Sequence, residues 1–316
     1  MKKQIIMFAL AVGIALPAIA APKKILVVSV TTGFRHSSIP TAEKVLGQLA
    51  QQSGAFQIDY VQQPDGKPNT RPPQAPKPEA SPAAKEKYAK ELTKFKADLP
   101  RLQEEEKQWN EKVRAVLTKL SPESLKNYDG VIFANTTGDL PLPDPQGFID
   151  WIRAGHSFVG MHSASDTFHG FRPYIEMLGG EFQTHQAQVS VDAINEDQQC
   201  AACSHLGTTW KVFDEIYIIK NFDRTKVHGL LTLNAHPNDK TPGEFPIAWK
   251  KEFGKGRVFY TSLGHREDVW DPETPANMKR ENPKEVAEAY QKHIMGGIKW
   301  TLGLENCDAR TKAGAQ

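Results

Sequence analysis

The chain has 316 residues, with 39 Lys and Arg against 37 Asp and Glu, a formal charge of +2. So even a balance excludes the basic surface that nucleic acid or an anionic membrane would select, and neither is expected as a partner. No stretch after residue 21 approaches the ~20 consecutive apolar residues of a membrane helix.

In chain order, Lys2 and Lys3 precede the apolar run Ile5 to Leu16 and the small-x-small triplet Ala18-Ile19-Ala20. That is the form of an export signal over residues 1–21, and it predicts a periplasmic or secreted protein. Residues 22–306 then read as one domain interrupted over 64–121, with a tail at 307–316. Lys24 to Val30 contains Ile25-Leu26-Val27-Val28 and reads as a buried parallel strand ending at Thr31-Thr32-Gly33. A helix is expected from about Pro40 to Gln52, with Ala42, Val45, Leu46 and Leu49 at helical spacing and Gly54 at the stop. Phe56 to Val61 is the second strand.

Between residues 64 and 121 the composition changes. Pro64 to Pro82 is rich in Pro, Lys and Gln and reads as an extended linker. From Ala83 to Leu120 the chain is charged, yet Tyr88, Leu92, Phe95, Leu99, Leu102, Trp109, Val113, Val116 and Leu120 keep alternating steps of four and three. Pro100 is expected to kink this helix or split it in two. Such a seam fits a homodimer formed through the 83–120 arm, and equally a helix laid across its own subunit.

Tyr128 to Ala134, a helix over Phe148 to Arg153, and the strand Ser157 to Met161 continue the alternation of a doubly wound α/β domain. Ligands in such domains collect at the carboxyl ends of the strands, here Thr31 to Ser38, Asn135 to Asp139 and His162 to Thr167. Strands then dominate: Val189 to Ile194, Glu215 to Ile219, Leu230 to Leu233, Ile247 to Trp249 and Arg257 to Thr261. A last helix is expected from a cap at Asn282 to Gly303, with Ala287, Tyr290, Ile294, Ile298 and Leu302 on one face. Of the three cysteines, Cys200-x-x-Cys203 lacks the second pair that a structural zinc site needs. A disulfide between those two, or from either to Cys307, is the better reading.

The segment Gly160-Met161-His162-Ser163-Ala164 sets small residues two positions either side of a histidine, at a strand end. That is the form of an elbow that displays one side chain above the sheet. A histidine there can act as base, hydrogen-bond donor or metal ligand, whereas Ser163 as a displaced nucleophile would need a base and an orienting group of its own.

Several stretches resemble the ThuA-like family, the trehalose utilisation proteins: Gly33-Phe34-Arg35-His36-Ser37-Ser38-Ile39, the elbow Gly160 to Ala164, and Gly179-Gly180-Glu181-Phe182-Gln183-Thr184-His185. Asp214-Glu215-Ile216-Tyr217, Pro246-Ile247-Ala248-Trp249 and Gly256 to His265 complete the set in the same order, over residues 23–62 and 128–303. The resemblance implies a flavodoxin-like sheet of the class I glutamine amidotransferase type, with His162 where those enzymes carry cysteine. It departs after Val189 to Ile194, where relatives usually have a His-Pro pair and this chain has Cys200 to His205.

The family's link to sugar utilisation implies a small carbohydrate as substrate, a disaccharide or its 3-keto derivative. On that footing His162, His185, His265 and Asp166 are the catalytic candidates, and Arg35, His36, Asp214, Glu215 and Trp270 the substrate-binding ones. Abstraction of a proton beside a carbonyl needs a base and a group to hold the oxyanion, which histidines with neighbouring carboxylates supply. His162, His185 and His265 also form a candidate ligand set for a divalent metal, zinc or a similar ion. Trp249, Trp270 and Tyr217 are aromatic candidates for stacking on a sugar ring. The competing expectation is a non-catalytic sugar-binding or assembly protein that docks through its helical arm.

Overall fold

The computed structural model describes residues 21–273 and 278–307. The expected export signal and the tail beyond Cys307 lie outside the described residues. No helix among the described residues is long and apolar enough to cross a membrane.

The first half alternates as its apolar pattern dictates: β1 (Lys23–Val28), α1 (Ile39–Ser53), β2 (Phe56–Val61), α2 (Pro82–Leu117), α3 (Pro122–Leu125), β3 (Gly130–Ala134), α4 (Pro145–Arg153) and β4 (Ser157–Met161). Next come α5 (Arg172–Leu178), β5 (Glu181–His185), β6 (Val189–Asn195), β7 (Thr209–Asp214), β8 (Tyr217–Lys220) and β9 (His228–Ala235). The chain closes with β10 (Pro242–Phe253), β11 (Gly256–Thr261), α6 (Glu267–Trp270) and α7 (Lys284–Thr301). Nine strands form one sheet in the order β2-β1-β3-β4-β11-β10-β9-β6-β7, parallel from β2 to β11 and antiparallel beyond. The parallel part has the 2-1-3-4 order of a flavodoxin-like fold, whose crevice opens where β1 and β3 diverge. β5 and β8 pair separately as a two-stranded ribbon.

Because β1 is buried on both faces, its alternate residues serve two cores. Ile25 and Val27 pack with Ala42, Val45 and Leu46 of α1 and with Tyr290, Ile294 and Ile298 of α7. Leu26 and Val28 pack with Phe148, Ile149 and Ile152 of α4 and with Trp109, Val113 and Leu117 of α2. The end of α2 is therefore the crossover helix between β2 and β3, which places part of the 83–120 arm across its own subunit. Toward its start Tyr88, Leu92, Phe95 and Leu99 are half-buried. The helix runs unbroken through Pro100, so it is not split in two there. Pro100 faces solvent, where the carbonyl freed by its missing N–H can bond to water.

At the other end, α7 has no side-chain cap. Asn282 instead donates to the Phe213 carbonyl and to Asp268, and accepts from the Phe213 amide. Cys200 and Cys307 form a disulfide that ties the loop after β6 to the chain end. Cys203 stays a buried thiol, pushed up to about 12 by burial and by Asp197, which leaves it a poor ligand or nucleophile.

His293 of α7 is wholly buried, with Nδ1 2.8 Å from the Ala202 carbonyl, and burial pulls its imidazolium down to about 4. In the unfolded chain it titrates near 6.5, so on acidification the unfolded state takes up the proton first. This ring's contribution is therefore complete above about pH 6.5 and falls by about 3 kcal/mol between there and pH 4. Asp214, raised to about 6 by burial, works in the opposite direction, so the readout is a difference. The stability gap between the native chain and His293→Gln, from urea unfolding, should shrink by that amount on going from neutral pH to about pH 4. A gap independent of pH would contradict a buried neutral ring.

Candidate active site

Three histidines reach one point from three strand ends. His36 comes from the loop after β1, His162 is the residue next after β4, and His265 comes after β11. Glu215 joins them from the turn between β7 and β8, and His185 ends β5. The elbow forms as its residue types require. His162 sits at φ +46°, a left-handed conformation histidine tolerates better than most residues. A Cβ on Gly160 would stand 3.1 Å from both Leu178 and Tyr260 and 3.3 Å from Ala164. The chain then enters a 3-10 turn, His162–Asp166, rather than a long helix.

His36, His162, Glu215 and His265 each offer a ligand atom, and these atoms all lie within 4.8 Å of one another. His162 Nδ1 faces the Ser262 carbonyl at 2.7 Å. A carbonyl only accepts, so Nδ1 carries the hydrogen and the lone pair of the neutral ring is on Nε2. Around that nitrogen stand His36 Nε2 at 3.2 Å, the Tyr217 hydroxyl at 3.0 Å and Glu215 Oε1 at 3.8 Å. His265 Nδ1 is 3.2 Å from the same Glu215 oxygen, yet is buried without an aligned hydrogen-bond partner. The other Glu215 oxygen is 2.9 Å from His185 Nδ1.

Burial, reinforced by neighbouring imidazoles, holds His162 well below its usual value and His36 at about 4. Both rings are neutral at physiological pH, the state in which imidazole can bind a metal. Burial also pulls on His265, but the Glu215 carboxylate, with Asp214 and Glu267 behind it, outweighs that and raises it.

A hydrogen-bonded frame fixes the loops. The Gly264 carbonyl accepts from Ser38 Oγ, Asn135 Nδ2 and Trp270 Nε1 at 2.8–3.1 Å, joining the ends of β1, β3 and β11. Gly264 has φ +118°, and a Cβ there would stand 2.8 Å from the Tyr290 hydroxyl. Ser38 and Asn135 were not singled out from sequence, since a polar residue at a strand end gives no sign of which loop it will tie.

Of the expected site residues, His162, His265, His36 and Glu215 form the cluster. His185 stands beside it, 44% exposed, as the partner of Glu215. The candidate ligand set His162, His185 and His265 is thus replaced geometrically by one in which His36 and Glu215 take the place of His185. Asp166 pairs with His169 at 2.7 Å instead of entering the cluster. Asp214 is fully buried and accepts from the Gly264 and Arg266 amides, so it frames His265 and has no face for a sugar. Arg35 turns back to the Ser29 carbonyl and Gln63. Trp270 is fully buried, as is Trp249, and Tyr217 is nearly so; none of the three offers a stacking face. Ser163 Oγ is 3.3 Å from His36 Nδ1, but the other nitrogen of His36 meets His162 and not a carboxylate, which is not triad geometry. His205 bonds to the Ala289 carbonyl on α7, in the loop that the disulfide ties.

The ThuA family model, described as trehalose utilisation, matches residues 74–281. Its start inside the Pro-rich stretch agrees with α2 being a core crossover helix. A ThuA-like protein of Parabacteroides merdae superposes with a TM-score of 0.58 at 15% identity, covering 91% of this chain and 92% of its own. One from Bacteroides uniformis gives 0.55 at 15%, covering 91% and 95%. At such identity these two show the fold alone. No curated protein matches the chain. With two thirds of its length matched by that model and its flavodoxin-like order in place, the chain belongs to the ThuA, or trehalose utilisation, family.

Proposed function

We propose that this chain is an exported enzyme of carbohydrate catabolism that acts on a disaccharide or its 3-keto derivative at the histidine–glutamate cluster. His36, His162, His265 and Glu215 would hold a divalent ion, zinc or a similar metal. The observation that carries this reading is the convergence of their donor atoms within 4.8 Å of one another. Three imidazoles and a carboxylate are a donor set suited to zinc. Such an ion would supply Lewis acidity to a carbonyl or hydroxyl oxygen added to these four ligands.

His185 is the base in this reading. Its Nδ1 faces two acceptors, Glu215 Oε2 at 2.9 Å and the Gln186 carbonyl at 3.0 Å. It therefore carries its hydrogen there and leaves Nε2 free to take a proton. With a keto-sugar, the proton leaves the carbon beside the carbonyl for Nε2, and the electron pair passes to the carbonyl oxygen. Glu215 then stabilises the imidazolium that forms.

The test is incubation of the purified chain with trehalose, other disaccharides and their 3-keto forms, with and without chelator, then mass spectrometry. Product from at least one sugar, abolished by chelator and restored by zinc, is expected. Sugar binding with no product after long incubation would move the chain to the non-catalytic alternative.

A further inference from the structure

The aromatic residues expected to stack on sugar are buried, yet one aromatic beside the cluster is not. Phe34 is 58% exposed; the other exposed large hydrophobic among the described residues is Leu304, near the chain end. A lone exposed phenylalanine needs no explanation by itself. Its position does: the Phe34 ring centroid is 4.9 Å from that of His36, which is buried and lies 4.7 Å from His162 and 5.1 Å from His265. Going inward from solvent come Phe34, then the buried His36 and, beyond it, His162 and His265, whose side chain is 22% exposed.

Exposure usually goes with mobility on a loop, but the backbone here is held. The Thr137 hydroxyl donates to the Phe34 carbonyl at 2.6 Å, and the Thr32 and Gly33 amides donate to the Thr137 carbonyl. On the other side Lys67 Nζ donates to the Thr32 and Gly33 carbonyls, while it lies 5.1 Å from the Trp109 ring centroid. A Cβ on Gly33 would stand 3.0 Å from Thr137 Oγ1, so the two loops approach closely here. The Pro-rich stretch and α2 thus brace the loop that displays Phe34. A braced aromatic next to polar groups is the usual composition of a small-molecule site, where apolar area gives affinity and a few polar atoms fix orientation.

We infer that Phe34 is the platform for a pyranose ring, whose C–H face lies on the phenyl ring while its oxygen substituents reach the histidine–glutamate cluster. The inference rests on the carbohydrate reading of that cluster and adds to it the residue that orients the sugar. The two basic side chains at this loop are turned to the chain itself, Arg35 to Ser29 and Gln63 and Lys67 to the Thr32 and Gly33 carbonyls. A neutral sugar needs no counter-charge.

The experiment compares the zinc-loaded native chain with Phe34→Ala and Phe34→Trp, using trehalose and its 3-keto form as probes. Calorimetry gives affinity, elemental analysis gives metal content, and kinetics separate KM from kcat. Phe34→Ala should weaken binding about tenfold, the loss of one aromatic contact. KM should rise far more than kcat falls, with metal content and melting unchanged. Phe34→Trp should restore affinity. Native-like affinity in Phe34→Ala would overturn the platform while leaving the carbohydrate reading standing. A native chain that holds zinc but binds neither probe would overturn both.

Discussion

Replacing His162 with asparagine should lower divalent-metal affinity and turnover each on the order of 100-fold or more, beyond the effect of removing an outer-sphere partner, while the fold persists. Asparagine is chosen because the backbone at this position has φ +46°, and it is among the residues that adopt that conformation most readily. Its amide can still donate to the Ser262 carbonyl, the role now taken by His162 Nδ1 at 2.7 Å. What it lacks is the second nitrogen, the atom that faces His36, Tyr217 and Glu215. Alanine would confuse the result, since it strains the elbow and leaves a cavity in a fully buried site. Elemental analysis and thermal melting of the same samples separate loss of the ion from loss of the fold. Retained metal and activity in folded His162→Asn would remove this residue from the chemistry.

The second large effect concerns stability. Trp270→Ala should destabilise the chain by about 3–5 kcal/mol, the usual cost of deleting a buried large aromatic. The indole is fully buried, packs edge-on to Tyr290 with centroids 5.0 Å apart and donates to the Gly264 carbonyl at 2.8 Å. Trp270→Phe keeps most of the packing and removes that donor, at about 1 kcal/mol. Gly264 keeps Ser38 and Asn135 as donors. A stacking residue would behave differently, with Trp270→Ala losing sugar affinity and keeping its stability. Denaturant unfolding of both variants distinguishes the two roles, and an unchanged midpoint in Trp270→Ala would contradict a core position.

These two residues show where sequence is informative. His162 could be singled out because the pattern around it is local: a buried strand, a small residue two positions before, another two after. The parallel strands β1 to β4 were legible for the same reason, as short runs rich in apolar residues separated by helical segments. Trp270 ends α6, a helix of 4 residues too short to show periodicity, and its burial depends on α7, which arrives from residues 284–301. Likewise Glu215 could be placed at a strand end, but its position between His162, His265 and His185 depends on β5 and β8 pairing outside the main sheet. Nothing local in Glu181 to His185 announces that ribbon. A split at Pro100 did not follow because its cost depends on whether the freed carbonyl meets water, which is decided by the face the helix turns outward.

All of the proposed chemistry requires that His36, His162, His265 and Glu215 close on one divalent ion. Anomalous diffraction at the zinc edge from crystals grown with zinc tests this most directly. A single strong peak is expected inside the cluster, bonded to three imidazole nitrogens and one Glu215 oxygen, with His185 on the other oxygen of that carboxylate. Zinc-grown crystals in which the four side chains surround no peak, or in which the ion is bound by other residues, would contradict it.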